Sequence, residues 1–143
     1  MLNLPDGLNI NNLIDDLKIL SWQASDLLLN YSQNFNDKQL KDNFIMSKKN
    51  NEPVTKADLE VNNLILKHFK RTYLNIDWDI LSEETITILS NNKLTRNWQW
   101  VLDPLDGTKD FIQGTGNFAM HLALNYKNKP YLGFVLIPEK DEL

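Results

Sequence analysis

The 143-residue sequence contains no cysteine and no long apolar run. The absence of cysteine excludes disulfide bonds, thiolate nucleophiles and zinc sites built on sulfur. No stretch approaches the length of a membrane span, and the first six residues lack the basic start and apolar core of a signal peptide. We therefore expect a cytoplasmic protein without a membrane span.

The sequence also lacks an excess of positive charge, with 15 Lys and Arg residues against 19 Asp and Glu residues and a net charge of −4. This balance argues against a surface that binds nucleic acid or an anionic membrane. An acidic protein can still bind an anionic substrate if bound cations supply the positive charge. The length fits one domain, and the hydrophobic fraction of 42% is ordinary for a globular protein.

Apolar periodicity predicts helices first and strands afterwards. Apolar residues at helical spacing predict a helix from about Asn9 to Asn34, with Asp15 and Asp16 near its start. A second helix is predicted to begin at Thr55. The order indicates an α+β fold in which two N-terminal helices pack on a largely antiparallel sheet. The predicted strands span residues 78–81, 99–102, 118–125 and 131–137, with a short one at 44–46, a loop over 34–41 and a turn over 48–53.

The most informative segment covers residues 100–108, WVLDPLDGT. An apolar strand ends there in Asp103 and Asp106, two carboxylates three positions apart with a proline between them. Carboxylate oxygens held in a rigid turn are ligands that Mg²⁺ uses when it also holds a phosphate. Gly107 and Thr108 add backbone N–H groups and a hydroxyl where a phosphate would lie.

Two upstream acidic residues complete the candidate site. Glu83 follows the predicted strand at 78–81, and Asp103 follows the one at 99–102. If these two strands are neighbours, Glu83, Asp103 and Asp106 would converge at one rim of the sheet. Three packed carboxylates repel each other unless a divalent cation lies between them. Two such ions could hold a phosphate ester and lower the pKa of a bound water. Asp58 could pair with the Thr108 hydroxyl and orient that water.

Each of these residues has an ordinary structural explanation when it is taken alone. Asp-Pro and Asp-Gly form turns, Glu83 and Glu84 suit a solvent-facing turn, and Asp58 suits the first turn of a helix. His68 and His121 are interpreted as structural residues rather than ligands. The conjunction of the acidic residues favours a site.

Three other motifs fail on detail. Residues 103–107 resemble a calcium loop, but they lack its third acidic position, and Gly114 stands where a Glu is required. Residues 114–119 match the sequence pattern of a dinucleotide fingerprint, but that fingerprint follows a strand and begins a helix. Residues 114–119 precede a predicted strand and follow none. Haloacid-dehalogenase-type phosphatases have one residue between their two Asp, whereas two residues separate Asp103 from Asp106.

The segment DPLDGT, residues 103–108, resembles the signature of the inositol monophosphatase superfamily of lithium-sensitive, Mg²⁺-dependent phosphatases. PVTKAD, residues 53–58, resembles its second motif, and LSEE, residues 81–84, its third. The resemblance implies the N-terminal part of the layered α/β sugar-phosphatase fold. It also implies that residues 1–143 are the N-terminal metal-binding domain of such a phosphatase, without its C-terminal domain.

The resemblance implies a metal-ligand set. Glu83, Asp103 and Asp106 would bind through their carboxylates, and Leu105 would bind through its backbone carbonyl. Two or more Mg²⁺ ions and inhibition by Li⁺ are expected.

The resemblance also implies roles at the reacting phosphate. Asp58 and Thr108 would position and activate the attacking water for direct in-line hydrolysis without a phosphoenzyme. The N–H groups of Gly107 and Thr108 would hold the phosphate.

Residues 109–112, KDFI, together with Ser82, resemble the CysQ-type 3′(2′),5′-bisphosphate nucleotidase branch. That branch removes the 3′-phosphate of adenosine 3′,5′-bisphosphate, a by-product of sulfate assimilation. We therefore expect this small phosphate ester as the substrate, no nucleic-acid partner, and a homodimer as the candidate assembly. The alternatives are an inositol-1-phosphate or sugar phosphatase of the same superfamily, or a non-catalytic half-domain.

The half-domain alternative follows from length. Members of the superfamily are close to twice as long, and their second half supplies another metal-binding Asp and most substrate-selecting residues. The final residues 140–143, KDEL, spell a retention signal that has meaning only in the secretory pathway. They are better explained as a turn from which chains of the superfamily continue into another strand.

Overall fold

The computed structural model describes residues 4–34, 45–49, 52–85 and 96–143. Two long helices pack against one four-stranded sheet, which confirms the α+β fold predicted from the sequence. Within the described segments, no helix has both the length and the apolarity needed to cross a membrane. In chain order the elements are α1 (Ile10–Asn34), β1 (Ile45–Lys49), β2 (Glu52–Thr55), α2 (Lys56–Thr72), β3 (Asp79–Ser82), β4 (Trp98–Asp106), α3 (Thr108–Gln113), β5 (Ala119–Tyr126), β6 (Lys129–Leu136) and a 3₁₀ turn (Pro138–Lys140).

Helix α1 begins where the sequence predicts it. The Asn9 side chain accepts hydrogen bonds from the N–H groups of Asn11 and Asn12 and so caps the first turn. The apolar stripe of α1 is buried in one core cluster with residues of α2 and of the sheet, as the helical spacing requires. Its fully buried members are Leu13, Leu17, Leu20, Ala24 and Leu28.

The prediction that Asp15 and Asp16 lie near the start of α1 and suit its dipole is wrong, because both lie beyond its first turn. Asp16 instead joins α1 to the end of α2. Its Oδ2 atom lies 2.7 Å from His68 Nε2 and accepts a hydrogen bond from the Tyr73 hydroxyl. Burial and the neighbouring carboxylate raise the pKa of Tyr73, so its hydroxyl stays a donor. His68 thus has the structural role expected from the sequence.

Helix α2 begins with a capping box. The Thr55 side chain accepts from the Asp58 N–H, and the Asp58 carboxylate accepts from the Thr55 N–H. Helical spacing predicts a buried side of α2 made of Leu59, Asn62, Leu66 and Phe69, with Val61 and Ile65 beside it. Leu59 and Leu66 are only half-buried, whereas the other four are buried. The side chains that are buried belong to Ala57, Asp58, Val61, Asn62, Ile65 and Phe69.

An antiparallel hairpin precedes α2. The strand expected at 44–46 is β1, and it continues to Lys49 before β2 returns from Glu52 to Thr55. The predicted turn over residues 48–53 is therefore too long at both ends, because Lys48 and Lys49 belong to β1 and residues 52 and 53 belong to β2. Residues 50 and 51, residue 44 and most of the loop predicted over 34–41 lie outside the described residues.

The main sheet has the strand order β3-β4-β5-β6. The pairs β4–β5 and β5–β6 are antiparallel, as predicted, but β3 runs parallel to β4. Residues 83–97 connect these two strands, which is long enough for the crossover that a parallel pair needs. The parallel pair has the consequence that both strands end at the same edge of the sheet.

The core lies between the sheet and the two long helices. Trp100 is fully buried in β4, and its ring centroid lies 5.2 Å from that of Phe69 and 5.7 Å from that of Trp78. Phe69 also contacts Tyr73 at 5.5 Å, so one aromatic cluster joins α2 to β4. Such contacts add to the free energy gained by burying apolar surface.

Replacing Phe69 with alanine tests this cluster. Because Phe69 is 1% exposed and packs against the rings of Tyr73, Trp78 and Trp100, we expect F69A to lower the free energy of unfolding by about 3–5 kcal/mol in urea denaturation. Ile19 lies on the outer side of α1 and is 62% exposed, so I19A is the control and should change the free energy by less than about 0.5 kcal/mol. Equal effects of the two substitutions would show that the cluster does not dominate the core.

Candidate active site

The end of β4 presents the two aspartates. The ladder between β4 and β5 is interrupted between Asp103 and Asp106, where the register shifts. Pro104 and Leu105 are buried in this irregular stretch, while Asp103 is half-buried and Asp106 is exposed. The bulge therefore turns both carboxylates to one rim while apolar side chains anchor the segment.

The parallel strand β3 brings Glu83 to the same rim. Ser82 is paired with Leu102, and the N–H of the next residue, Glu83, donates to the Leu102 carbonyl at 3.0 Å. The strands β3 and β4 are thus neighbours, which is the condition under which the sequence predicts that Glu83, Asp103 and Asp106 converge. Six of the residues lining a depression of about 250 Å³ are those predicted to bind metal or phosphate: Glu83, Asp103, Leu105, Asp106, Gly107 and Thr108.

The depression concentrates negative charge. Burial, a hydrogen bond with Glu83, and the charges of Glu83 and Asp106 together raise the pKa of Asp103 to about 7. The Asp103 Oδ1 atom is buried and has no hydrogen-bond partner among the residues that the structure describes. A buried carboxylate oxygen without a donor is costly unless a cation or a proton compensates it.

These residues fit a hard divalent cation by their chemistry. All the candidate donors are oxygens, including the orphaned Asp103 Oδ1 and the Leu105 carbonyl at the bulge. As placed, no three acidic or imidazole side chains in the described segments stand close enough together to hold an ion on their own. Backbone carbonyl, phosphate and water oxygens would have to complete the coordination, which is common for Mg²⁺.

Asp58 and Thr108 meet across the site. The Thr108 hydroxyl lies 3.3 Å from Asp58 Oδ1 and 3.1 Å from the Leu105 carbonyl oxygen, and both are acceptors for its proton. Asp58 Oδ2 already accepts from the Thr55 N–H at 2.8 Å and from the Thr55 hydroxyl at 2.6 Å. Desolvation raises the pKa of Asp58, although these hydrogen bonds oppose the rise. One oxygen is thus anchored by the cap while the other faces Thr108.

Gly107 makes the turn between β4 and α3. Its φ of +81° lies in the left-handed region, and a Cβ atom there would lie 2.6 Å from the carbonyl oxygen of Asn117. Only glycine satisfies both constraints without a shift of backbone. Phe111 in α3 is buried, and its ring packs edge-on against Phe118 at 4.8 Å, which holds the helix under the turn.

The structure brings together all seven residues predicted to form the site, while their chemical roles stay predictions. Six of them line the depression, and the seventh, Asp58, is reached through Thr108. The role of Thr55 in anchoring Asp58 was not anticipated. The pattern Thr-x-x-Asp at residues 55–58 could have revealed it, because it resembles a capping box.

The fold and the acidic rim define a class of protein. The family model described as "Inositol monophosphatase family" matches residues 12–143, so the chain belongs to this family. A curated relative, the 3′(2′),5′-bisphosphate nucleotidase CysQ of Haemophilus influenzae, is 33% identical over 129 residues. That match covers 89% of this chain and 44% of the relative.

Solved structures agree on the fold. The extragenic suppressor protein suhB of Bartonella henselae is 20% identical with a TM-score of 0.70, and the match covers 91% of this chain and 46% of that one. A staphylococcal inositol monophosphatase-1, solved as a LiCl-soaked inhibitory complex, is 25% identical with a TM-score of 0.68 and coverages of 94% and 47%. The chain thus spans less than half the length of these relatives.

The Gly107 turn can be tested by adding a single methyl group. We expect G107A to lower the free energy of unfolding by about 1–3 kcal/mol, because it combines positive φ with a clash against backbone. Gly133 in β6 is the matched control, since a Cβ atom there meets nothing within 4 Å. Urea denaturation of both variants measures the difference, and a G107A protein as stable as G133A would contradict the steric argument.

The charge repulsion at the rim predicts a stabilising substitution. The pKa of Asp103 in the folded chain, about 7, lies above its usual value of 3.8, so ionisation of this group opposes folding as pH rises through that interval. D103N keeps the shape and removes the charge. In EDTA, its Tm should exceed that of the unmodified protein, with a larger gain at about pH 8 than at about pH 5.

The exposed Asp26 of α1 provides the control for this substitution. D26N removes one negative charge without relieving the crowded rim, so its Tm should change little with pH relative to the unmodified protein. A D103N protein that melts no higher than D26N at the higher pH would contradict the repulsion among the rim carboxylates.

Proposed function

We propose that this chain carries the metal-binding and water-positioning part of a phosphomonoesterase that acts on a small phosphate ester. The observation that most strongly supports this proposal is the rim where Glu83, Asp103 and Asp106 share one depression with Thr108. Membership of the inositol monophosphatase family supports the same chemistry. On this proposal residues 1–143 are the N-terminal metal-binding domain of such an enzyme.

The proposed cofactor is Mg²⁺, in two or more ions, with inhibition by Li⁺. Glu83, Asp103 and Asp106 would hold it through carboxylates and Leu105 through its carbonyl. When bound, the ions would offset the charge of the phosphate and make a water more acidic. The crowded acidic rim supports this assignment, because a cation would compensate the burial and repulsion that raise the pKa of Asp103.

Asp58 and Thr108 would handle the proton of the attacking water. A water beside the Thr108 hydroxyl could give its proton to that oxygen while the hydroxyl proton passes to Asp58 Oδ1, 3.3 Å away. The capping box holds the other oxygen of Asp58, so the acceptor keeps its orientation. The N–H groups of Gly107 and Thr108 would hold a phosphate oxygen at the turn.

The proposed substrate is adenosine 3′,5′-bisphosphate, with loss of its 3′-phosphate, as in the removal of a by-product of sulfate assimilation. Lys109 lines the depression next to Thr108 and adds a positive charge to an otherwise acidic wall. A second phosphate on the substrate would be attracted by that charge, whereas an inositol monophosphate has no second phosphate. The names of the CysQ relatives support the same choice.

Phosphate release provides the test. The 143-residue chain is incubated with Mg²⁺ and either adenosine 3′,5′-bisphosphate or inositol 1-phosphate, with EDTA and Li⁺ as inhibiting conditions. We expect release from the bisphosphate. Replacing Thr108 with valine should slow it by about 100-fold or more, since the hydroxyl is lost at nearly constant shape. Thr72 lies exposed at the end of α2, so T72V is the control and should leave the rate unchanged.

Each outcome decides between the candidates. Preferential release from inositol 1-phosphate would replace the nucleotidase with the alternative inositol or sugar phosphatase. No release from either ester by a chain with normal circular dichroism would reject catalysis by this chain and leave a non-catalytic half-domain. The homodimer and the cytoplasmic location stay predictions from the sequence.

A further inference from the structure

Helix α2 reaches the acidic rim at a second point, which the proposed chemistry does not use. Asn62 lies one turn after Asp58 on the buried side of α2 and is 5% exposed. Its Oδ1 atom accepts a hydrogen bond from the hydroxyl of Ser82, which is fully buried at the end of β3. Two buried polar side chains are thus paired directly beside Glu83.

The local turn makes Ser82 the anchor of Glu83. The Ser82 carbonyl accepts from the Thr85 N–H at 3.0 Å and from the Thr85 hydroxyl at 3.1 Å, which closes the turn around Glu83. The Glu83 N–H donates its hydrogen bond to the Leu102 carbonyl on β4. The backbone on both sides of Glu83 is therefore fixed, and the Ser82 side chain is the link from this turn to α2.

We propose that Asn62 and Ser82, joined by this hydrogen bond, are a pair of positioning residues that hold Glu83 at the metal-binding rim. The proposal rests on the function proposed above. Through Asp58 and Asn62, successive turns of α2 contact both parts of the site: Thr108 after β4, and Ser82 before Glu83. One rigid helix thereby sets the distance between the water-positioning pair and the carboxylate that arrives on β3. Residues that orient ligands in this way strongly affect metal affinity.

Binding of Mn²⁺ alone, followed by the loss of its free electron paramagnetic resonance signal, tests the pair. We expect S82A and N62A each to weaken Mn²⁺ binding by about tenfold or more. Ser21 on α1 is the matched control, because it is 1% exposed and donates to the Leu17 carbonyl at 2.7 Å within its own helix. S21A should lose stability and leave the Mn²⁺ dissociation constant unchanged.

A double variant separates positioning from stability. N62L/S82A replaces both polar partners with apolar groups, so neither is left buried and unsatisfied, and its Tm should recover relative to S82A. If the pair positions Glu83, Mn²⁺ binding stays weak in the double variant. Recovery of affinity together with Tm would show a merely structural role and overturn the proposal, as would S82A binding Mn²⁺ like the unmodified chain.

Amide hydrogen exchange supplies a readout that needs no metal. We expect S82A to lower the protection of the Glu83 amide, which bonds to Leu102, far more than that of the Leu124 amide in β5. If the unmodified chain binds no Mn²⁺, the proposed function fails, and a selective loss of Glu83 protection still supports the positioning role. Unchanged Glu83 protection in S82A would reject that role whatever the metal result.

Discussion

The parallel pairing of β3 with β4 is the contact on which the candidate site depends. It places the residue after Ser82 beside Leu102, and so it sets Glu83 next to Asp103 with a backbone hydrogen bond of 3.0 Å between the strands. An antiparallel pair would send Glu83 to the opposite edge of the sheet, about four residues or 13 Å away along the strand. The acidic rim exists because two strands end at one edge, and the bulge at residues 103–106 then adds the third carboxylate.

Such a rim costs free energy, and the rest of the fold supplies the compensation. Burial and the charges of Glu83 and Asp106 oppose ionisation of Asp103, whose pKa rises to about 7. The segment cannot relax outward easily, because Leu105 and Phe111 are buried on either side of the turn. The cluster of Phe69, Trp78 and Trp100 fixes α2 against β4 from the other direction. A well-packed core therefore holds an electrostatically unfavourable arrangement, as functional sites often require.

Local sequence patterns predict α1, α2 and the four strands of the main sheet, but they miss β2, α3 and the parallel pairing of β3 with β4. Periodicity located α1, and the Thr55 cap located α2, because both signals are local. Strand direction depends on contacts between distant segments, so the sequence predicts a largely antiparallel sheet without locating its one parallel pair, although the 15 residues from 83 to 97 leave room for a crossover. Asp16 shows the same limit. Its position in the sequence suggested a helix-dipole role, whereas its partners His68 and Tyr73 come from another helix. The Asn62–Ser82 contact has no signal in either segment alone.

Helix α2 explains why the motifs of this chain occur as a set. Asp58 is useful to the site only if Thr108 follows the β4 bulge, and Ser82 can be satisfied in the core only if Asn62 faces it. Loss of Asn62 or Ser82 would leave the buried polar atom of the other without this hydrogen bond, which costs about 1–3 kcal/mol. The two pairs lie one helical turn apart, so a small rotation of α2 would break both together. The three sequence motifs are thus coupled through one helix, and the geometry of the acidic rim and of the Asp58–Thr108 pair is set by the same packing.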